Sequence, residues 1–240
     1  MPTPVGRATA LKLEADYVVH EKDSFVSVML ANIKGGDKQD ERLETITKLY
    51  SDYNAAIKSV GTMLEIVSDE FQATHDHNPI HHIERRLKSP LSILEKLSRK
   101  GLEPSISNIT ANITDIAGLR IVCPYIKDIH VIADFFLTNK EIELIKERDY
   151  ITKPKDNGYR SLHLVVRAPI AFASSFGHVP VEIQIRTIAM DMWASLEHEI
   201  RYKRGVEVPQ ETTERLKNCA EVLAEIDLGM QSIYHEMLDK

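Results

Sequence analysis

Between about residues 12 and 100, apolar side chains recur at three- and four-residue steps, the spacing that lines up one face of an α-helix. This pattern predicts helices near 12–34, 41–73 and 79–99; in the second, Leu43, Ile46, Leu49, Tyr50, Tyr53, Ile57 and Val60 carry the stripe. Gly35-Gly36 and the run His75-Asp76-His77-Asn78-Pro79 interrupt it. From 116 to 187 the period shortens to two. IAGLRIVC, ELIKERDYIT, RSLHLVVRA and VPVEIQIRT are short, β-branched and partly alternating, so they read as strands, with helix-like IKDIHVIADFFLTNK between the first two. Thr187 is placed to cap a further helix, TIAMDMWASLEHEIRYKR, in which Met192, Leu196 and Ile200 read as core and Trp193 packs. Past Gly205 and Pro209, Leu216, Ala220, Leu223, Ile226, Met230, Ile233 and Met237 form the stripe of a last helix. The expected fold class is mixed α/β (α+β): a mixed β-sheet core flanked by helices, with N- and C-terminal helical extensions free to make oligomer contacts.

The 240 residues, 43% of them hydrophobic, suffice for one large core. Thirty Lys plus Arg against thirty-six Asp plus Glu leave a net charge of -6, which argues against broad adhesion to nucleic acid or an anionic membrane. An anionic ligand must therefore be met by local basic clusters. The start, MPTPVGR, lacks the apolar core of a signal peptide, and LVVRAPIAFASSF is broken by Arg167 and Pro169, so a cytosolic, cytoplasmic protein is expected. Cys123 and Cys219 sit in apolar patterns without zinc-ligand spacing and read as reduced packing residues.

Several signatures fail. There is no G-x-x-x-x-G-K-[ST] and no G-x-G-x-x-G to cradle phosphate; His198-Glu199 is followed by Tyr202 where a zincin needs histidine; and the His75-Asp76-His77 run reads as a solvated turn. Two cationic regions survive. In HIERRLKSPLSILEKLSRKG, helical spacing would put residues 85, 88, 92, 96 and 99 on one side, as a solvated face or as a grip for an anion. The second region holds Lys146, Arg148, Lys153, Lys155, Arg160 and Arg167 around YITKPKDNGYRSLH. There Pro154 and Asn157-Gly158 make a stiff turn that either presents Lys155 and Tyr159 to a stacked base flanked by phosphates or simply closes a charged hairpin.

Alternation in VPVEIQIRT sends Val179, Val181, Ile183 and Ile185 to one face and Glu182, Gln184 and Arg186 to the other, a face that is either wet or functional. Asp115 opens the strand containing Arg120 and is either a turn residue or a second carboxylate. If the two strands were neighbours, Asp115 and Glu182 would suit Mg²⁺, which takes few protein oxygens plus substrate phosphates.

DIAGLRIVC at 115–123, YITKPKDNGYRSLH at 150–163 and VEIQIRTIAMDMWASLEHEIRYK at 181–203, in that order, closely resemble the Rel/SpoT-homologue synthetases, and among them the single-domain small alarmone synthetases, or GTP pyrophosphokinases. That resemblance implies a nucleotidyltransferase-like core. It also implies a reaction in which the 3′-hydroxyl of GTP or GDP attacks the β-phosphorus of ATP, giving (p)ppGpp and AMP. Carried onto this sequence, it makes Asp115 and Glu182 the catalytic carboxylates and Mg²⁺ ligands. Arg86, Lys88, Lys96, Arg99 and Arg120 become ATP-binding, with Arg86 and Arg120 beside adenine. Tyr159 becomes the guanine-stacking residue, Arg148, Lys155 and His163 face acceptor phosphates, and Gln184, Asp191 and Glu197 shape the acceptor site.

The implied division is a helical region at 1–78, a synthetase core at 79–203 and an oligomer-contacting helix at 204–240, in a homotetramer. No hydrolase domain fits in the chain, so synthesis without alarmone hydrolysis is expected. The resemblance also leaves room for a regulatory nucleotide or single-stranded RNA as a further partner. Rival readings are another nucleotidyltransferase, which would release pyrophosphate, and a catalytically weak nucleotide- or RNA-binding relative.

Overall fold

The computed structural model describes residues 21–33, 39–173, 175–202 and 209–238. The beginning of the first expected helix, Gly35-Gly36 and the stretch around Gly205 lie outside them. Two helices lead, α1 over 21–32 and α2, Gln39–Thr74. They are followed by β1 (His82–Leu87), α3 (Pro90–Arg99), α4 (Ile106–Asn112), β2 (Ala117–Cys123), α5 (Ile126–Thr138) and β3 (Glu143–Asp149). The chain then runs through β4 (Leu162–Phe172), β5 (Ser175–Thr187), α6 (Ile188–Tyr202) and α7 (Gln210–Leu238). The five strands make one mixed sheet in the order β1-β2-β5-β4-β3, in which only β2 and β5 run parallel.

The sheet has an apolar and a polar face because its strands alternate. Leu119, Ile121, Val181, Ile183, Ile185, Leu164 and Val166 bury themselves in one cluster with Ile46, Tyr53, Ile57, Val60 and Leu64 of α2. The helical spacing of Ile46, Tyr53, Ile57 and Val60, legible in the sequence and continued by Leu64, thus becomes the floor of the sheet. The opposite face stays open and carries the polar residues.

One expected helix is divided. Residues 82–87 form the edge strand β1, antiparallel to β2, and only 90–99 are helical. The residue before a proline is pushed out of the helical region. Ser89 accordingly sits extended (φ -62°, ψ 148°), and its hydroxyl accepts a bond from Ser92 N to start α3 at Pro90. The single cationic stripe over 85, 88, 92, 96 and 99 therefore does not exist. Arg86 points to the open face, whereas Arg85 points to α2 and pairs with Glu65. The short helix α4, capped by Ser105, had no signal strong enough to be expected.

Arg85 crosses α2 at Gly61, where a Cβ would meet its guanidinium. That tip is 40% exposed and free to swing away. Exchanging a mid-helix glycine for alanine gains about 1 kcal/mol, against about 0–1 kcal/mol for an exposed ion pair. Gly61→Ala is expected to leave the thermal midpoint unchanged or raise it; a fall of more than about 5 °C would mean that Arg85 is locked in place.

Several other expectations are corrected. Met192, Leu196 and Ile200 of α6 are exposed, while Trp193 is buried and donates to Leu216 O at 2.8 Å, so the helix is turned with its tryptophan side toward α7. The α7 stripe splits: Ala220 is buried and Leu216 and Leu223 pack beside it, whereas Ile226, Met230, Ile233 and Met237 are exposed. Cys123 is buried, which pushes its thiol up, but Cys219 is exposed on α7. The histidine run is only partly a solvated turn. His77 Nε2 lies 2.9 Å from Asp128 Oδ2, and its ring meets Tyr125 and Tyr234, tying the end of α2 to α5 and α7.

Candidate active site

Cross-strand register sets polar residues side by side on the open face. One row reads Arg148, His163, Gln184, Arg120 and Glu84 across β3, β4, β5, β2 and β1; the next reads Lys146, Val165, Glu182, Gly118 and Arg86. Gly118 has no side chain, so a gap opens between Glu182 and Arg86. Asp115 precedes β2 at the same end. Together Glu84, Arg86, Lys88, Asp115, Gly118, Arg120, Glu182 and Gln184 line a cavity of about 180 Å³.

Lys88 and Lys96 both reach Asp115 Oδ2, at 3.0 and 2.8 Å. Burial alone would raise the Asp115 carboxyl, but the two lysines outweigh it and hold it below the usual range. Glu182 receives the Gln184 amide on Oε2 at 2.9 Å, and its Oε1 lies 3.6 Å from His163 Nδ1, beyond hydrogen-bond range but near enough to act electrostatically. Burial again pushes upward, seconded by the charge of Asp115, yet His163 and Gln184 prevail and Glu182 is also held low. Both carboxylates are therefore ionised at neutral pH.

A depressed pKa contributes stability above the unfolded value and loses it as pH falls through the folded one. Stability is thus expected to be full at neutral pH and to decline once pH drops below the ordinary values of 4.5 for Glu182 and 3.8 for Asp115. Urea titrations between pH 7 and 3 check this, because Asp115→Asn should flatten the acid limb. Parallel limbs in the two proteins would contradict it.

On the far side of Glu182, the loop after β3 begins with Asp149 accepting from Ile151 N and Thr152 N. It closes in a turn in which Gly158 N donates to Lys155 O at 2.8 Å and Asn157 Oδ1 accepts from Tyr159 N at 3.2 Å. Gly158 has φ +91°, a conformation that disfavours any side chain, and a Cβ there would lie 2.7 Å from Ala220 of α7. Tyr159 follows with its hydroxyl 2.8 Å from His163 Nε2, and Lys155 lies over the rings of Tyr159 and Tyr150 at 4.5 and 4.7 Å.

The structure thus brings together Asp115, Glu182, Arg86, Lys88, Lys96, Arg120, Gln184, Asp191, His163 and Tyr159. Arg120 bridges Glu84 (3.0 Å) and Asp191 (3.3 Å). His82, Glu84 and Asp191 lie close enough to share an ion, but this guanidinium already supplies the positive charge there. Other expected residues stand further out. Arg99 is exposed in a broad cleft shared with Arg86, Lys88 and His198; Arg148 is exposed on β3; and Glu197 accepts from Asn157 at 3.2 Å, behind the turn. Arg167 belongs to no binding cluster, being paired with Glu143. Arg186 was legible only as one of the polar-face residues, yet it is buried between Tyr159, Gln184 and Asp191. Among the described residues four buried side-chain atoms lack a hydrogen-bond partner, and three of them, Asp115 Oδ1, Arg120 Nε and Arg186 Nε, belong to this cluster. Buried polar groups are normally satisfied, so these three atoms have hydrogen-bonding capacity that a bound water or ligand would use.

Residues 85–207 match the family described as the region found in RelA / SpoT proteins. The chain belongs to the RelA/SpoT family. Over 185 residues, 77% of this chain and 88% of the relative, it is 43% identical with GTP pyrophosphokinase YwaC of Bacillus subtilis. The crystal structure of small alarmone synthetase 1 from Bacillus subtilis bound to its product pppGpp superposes with a TM-score of 0.73 at 36% identity, covering 79% of this chain and 96% of that one. The same synthetase bound to AMPCPP gives 0.68 at 32% identity, covering 80% and 97%. The matched RelA/SpoT region runs from within β1 through α6, so it contains both rows of the polar face except Glu84. The chain is accordingly an enzyme of the GTP pyrophosphokinase class.

Proposed function

We propose that this enzyme transfers the β,γ-pyrophosphate of ATP to the 3′-hydroxyl of GTP or GDP, releasing AMP and forming (p)ppGpp. The observation that carries this reading is the placement of two ionised carboxylates, Asp115 and Glu182, between a cationic wall and an aromatic one. Arg86, Lys88, Lys96, Arg99 and Arg120 form the wall for ATP, with Arg86 and Arg120 beside adenine. Tyr159, His163, Lys155, Arg148, Gln184, Asp191 and Glu197 form the acceptor side. That structural relatives are bound to pppGpp and to AMPCPP supports ATP and a guanosine nucleotide as the two substrates.

The chemistry is positioning and charge neutralisation. The acceptor oxygen forms a bond to the β-phosphorus as the bond from that phosphorus to the α,β-bridging oxygen breaks. The electron pair leaves with AMP, and Glu182 accepts the hydroxyl proton. Lys88 and Lys96 neutralise the donor phosphates, which are free to compete with Asp115 for them.

The donor set fits Mg²⁺: two ionised carboxylates face one cavity, and Asp115 Oδ1 is buried without a partner. Asp115 and Glu182 would hold the ion, which would supply charge neutralisation on the phosphates. Synthesis without alarmone hydrolysis belongs to the same reading, as does a cytoplasmic setting; no described helix is long and apolar enough to cross a membrane. The exposed Ile226, Met230, Ile233 and Met237, at four-, three- and four-residue steps, support homotetramer contacts through α7. A regulatory nucleotide or single-stranded RNA remains a further partner in this reading.

The test is acceptor dependence. AMP should form from ATP with GTP or GDP and not with the 3′-deoxy nucleotides; equal AMP release with the 3′-deoxy forms would remove the 3′-hydroxyl from the reaction.

A further inference from the structure

We propose that Arg186 is the positioning residue of the acceptor side, presetting the Tyr159 ring and the Gln184 amide at once so that both face the nucleotide and Glu182 in working orientation. This rests on the assignment of that side to the guanosine nucleotide. Arg186 is 4% exposed and makes three bonds: Nη1 to Asp191 Oδ1 at 3.1 Å, Nη2 to the Tyr159 hydroxyl at 2.6 Å, and Nη2 to Gln184 Oε1 at 2.8 Å. Its guanidinium carbon also lies 5.1 Å from the centre of the Tyr159 ring.

Each bond fixes something that the partner leaves free. A glutamine amide can present either end, but guanidinium only donates, so Arg186 selects the Gln184 oxygen and turns its NH₂ onto Glu182 Oε2, at 2.9 Å. A tyrosine hydroxyl both donates and accepts. With Arg186 donating to it, the hydroxyl still meets His163 Nε2 at 2.8 Å, and the other ring nitrogen, Nδ1, lies on the Glu182 side. A circuit results, Glu182, His163, Tyr159, Arg186, Gln184 and back to Glu182, in which four links are hydrogen bonds and the Glu182–His163 link, at 3.6 Å, is electrostatic. A buried cation is costly unless paired, and Asp191 supplies the counter-charge while also contacting Arg120. Lysine, a point donor on a flexible stem, cannot meet three acceptors in a fixed fork.

The test compares kinetics of wild type, Arg186→Gln, Arg186→Lys, Tyr159→Phe and the Arg186→Gln/Tyr159→Phe pair, each with ATP and GDP varied separately. Losing two or three charge-assisted bonds should lower kcat/KM for GDP by about 100-fold in Arg186→Gln, with the KM for ATP changed by less than about threefold. Arg186→Lys should not restore it. Tyr159→Phe keeps the ring and loses only the held hydroxyl, so it should cost about tenfold on GDP alone, and the pair should fall no further than Arg186→Gln. Equal rises in the KM for ATP and the KM for GDP, full activity of Arg186→Lys, or an unchanged Tyr159→Phe would each overturn the proposal. The last result decides even if Arg186→Gln does not fold. If wild type neither releases AMP with GDP nor binds GDP by calorimetry, the acceptor-site assignment itself fails; an active wild type with a substrate-blind Arg186 variant overturns the positioning role alone.

Discussion

Replacing Glu182 by glutamine is expected to lower AMP release by about 10³-fold or more while the thermal midpoint stays within a few degrees of wild type. The two side chains have nearly the same shape, and the neighbours that hold β5 in the sheet, Val181 and Ile183, are fully buried and untouched. What changes is charge. Glutamine cannot take a proton from the acceptor hydroxyl and is a poor ligand for a hard cation, the two roles assigned to an ionised Glu182. Residual turnover above about a tenth of wild type would remove Glu182 from the chemistry.

Asp115→Asn should act differently on the two kinetic constants. Asp115 Oδ2 takes both Lys88 and Lys96, so the amide leaves two cations without their counter-charge beside the donor site. Freed lysines can still grip polyphosphate, so the KM for ATP is expected to rise by less than about threefold. Meanwhile kcat falls by about 10²-fold or more with the loss of a carboxylate from the proposed Mg²⁺ site. A variant with normal kcat and a strongly raised KM would instead confine Asp115 to arranging the lysines.

Much of this arrangement was written in local pattern. The period-two alternation of VPVEIQIRT gave the polar face with Glu182, Gln184 and Arg186, and Thr187 does cap α6, accepting from Met190 N at 3.1 Å. Asn157-Gly158 does close a turn around a positive φ. What local pattern could not supply was pairing between distant segments. Gly118 lies opposite Glu182 only because β2 and β5 run parallel, a relation between residues more than sixty positions apart.

The misreading of 79–99 has a local cause. Arg85, Lys88, Ser92, Lys96 and Arg99 happen to fall at helical spacing, and this outweighed the Ser89-Pro90 start signal that splits the segment. Exposed Met192, Leu196 and Ile200 mislead for a different reason: periodicity shows that a helix has an apolar stripe, but not whether this chain covers it. Arg186 was visible as a polar-face residue, but its role depends on Tyr159 and Asp191 arriving from a loop and a helix.

Pyrophosphate transfer and nucleotidyl transfer differ in which bond of ATP is broken and where the phosphates go. Following ATP and GDP by ³¹P NMR with the purified enzyme and Mg²⁺ separates the two directly. AMP and a 3′-diphosphate are expected to appear one for one, with the β- and γ-phosphorus atoms of ATP transferred together and no free pyrophosphate. Pyrophosphate released while the α-phosphate joins the acceptor would contradict pyrophosphate transfer, placing the chemistry at the α-phosphorus.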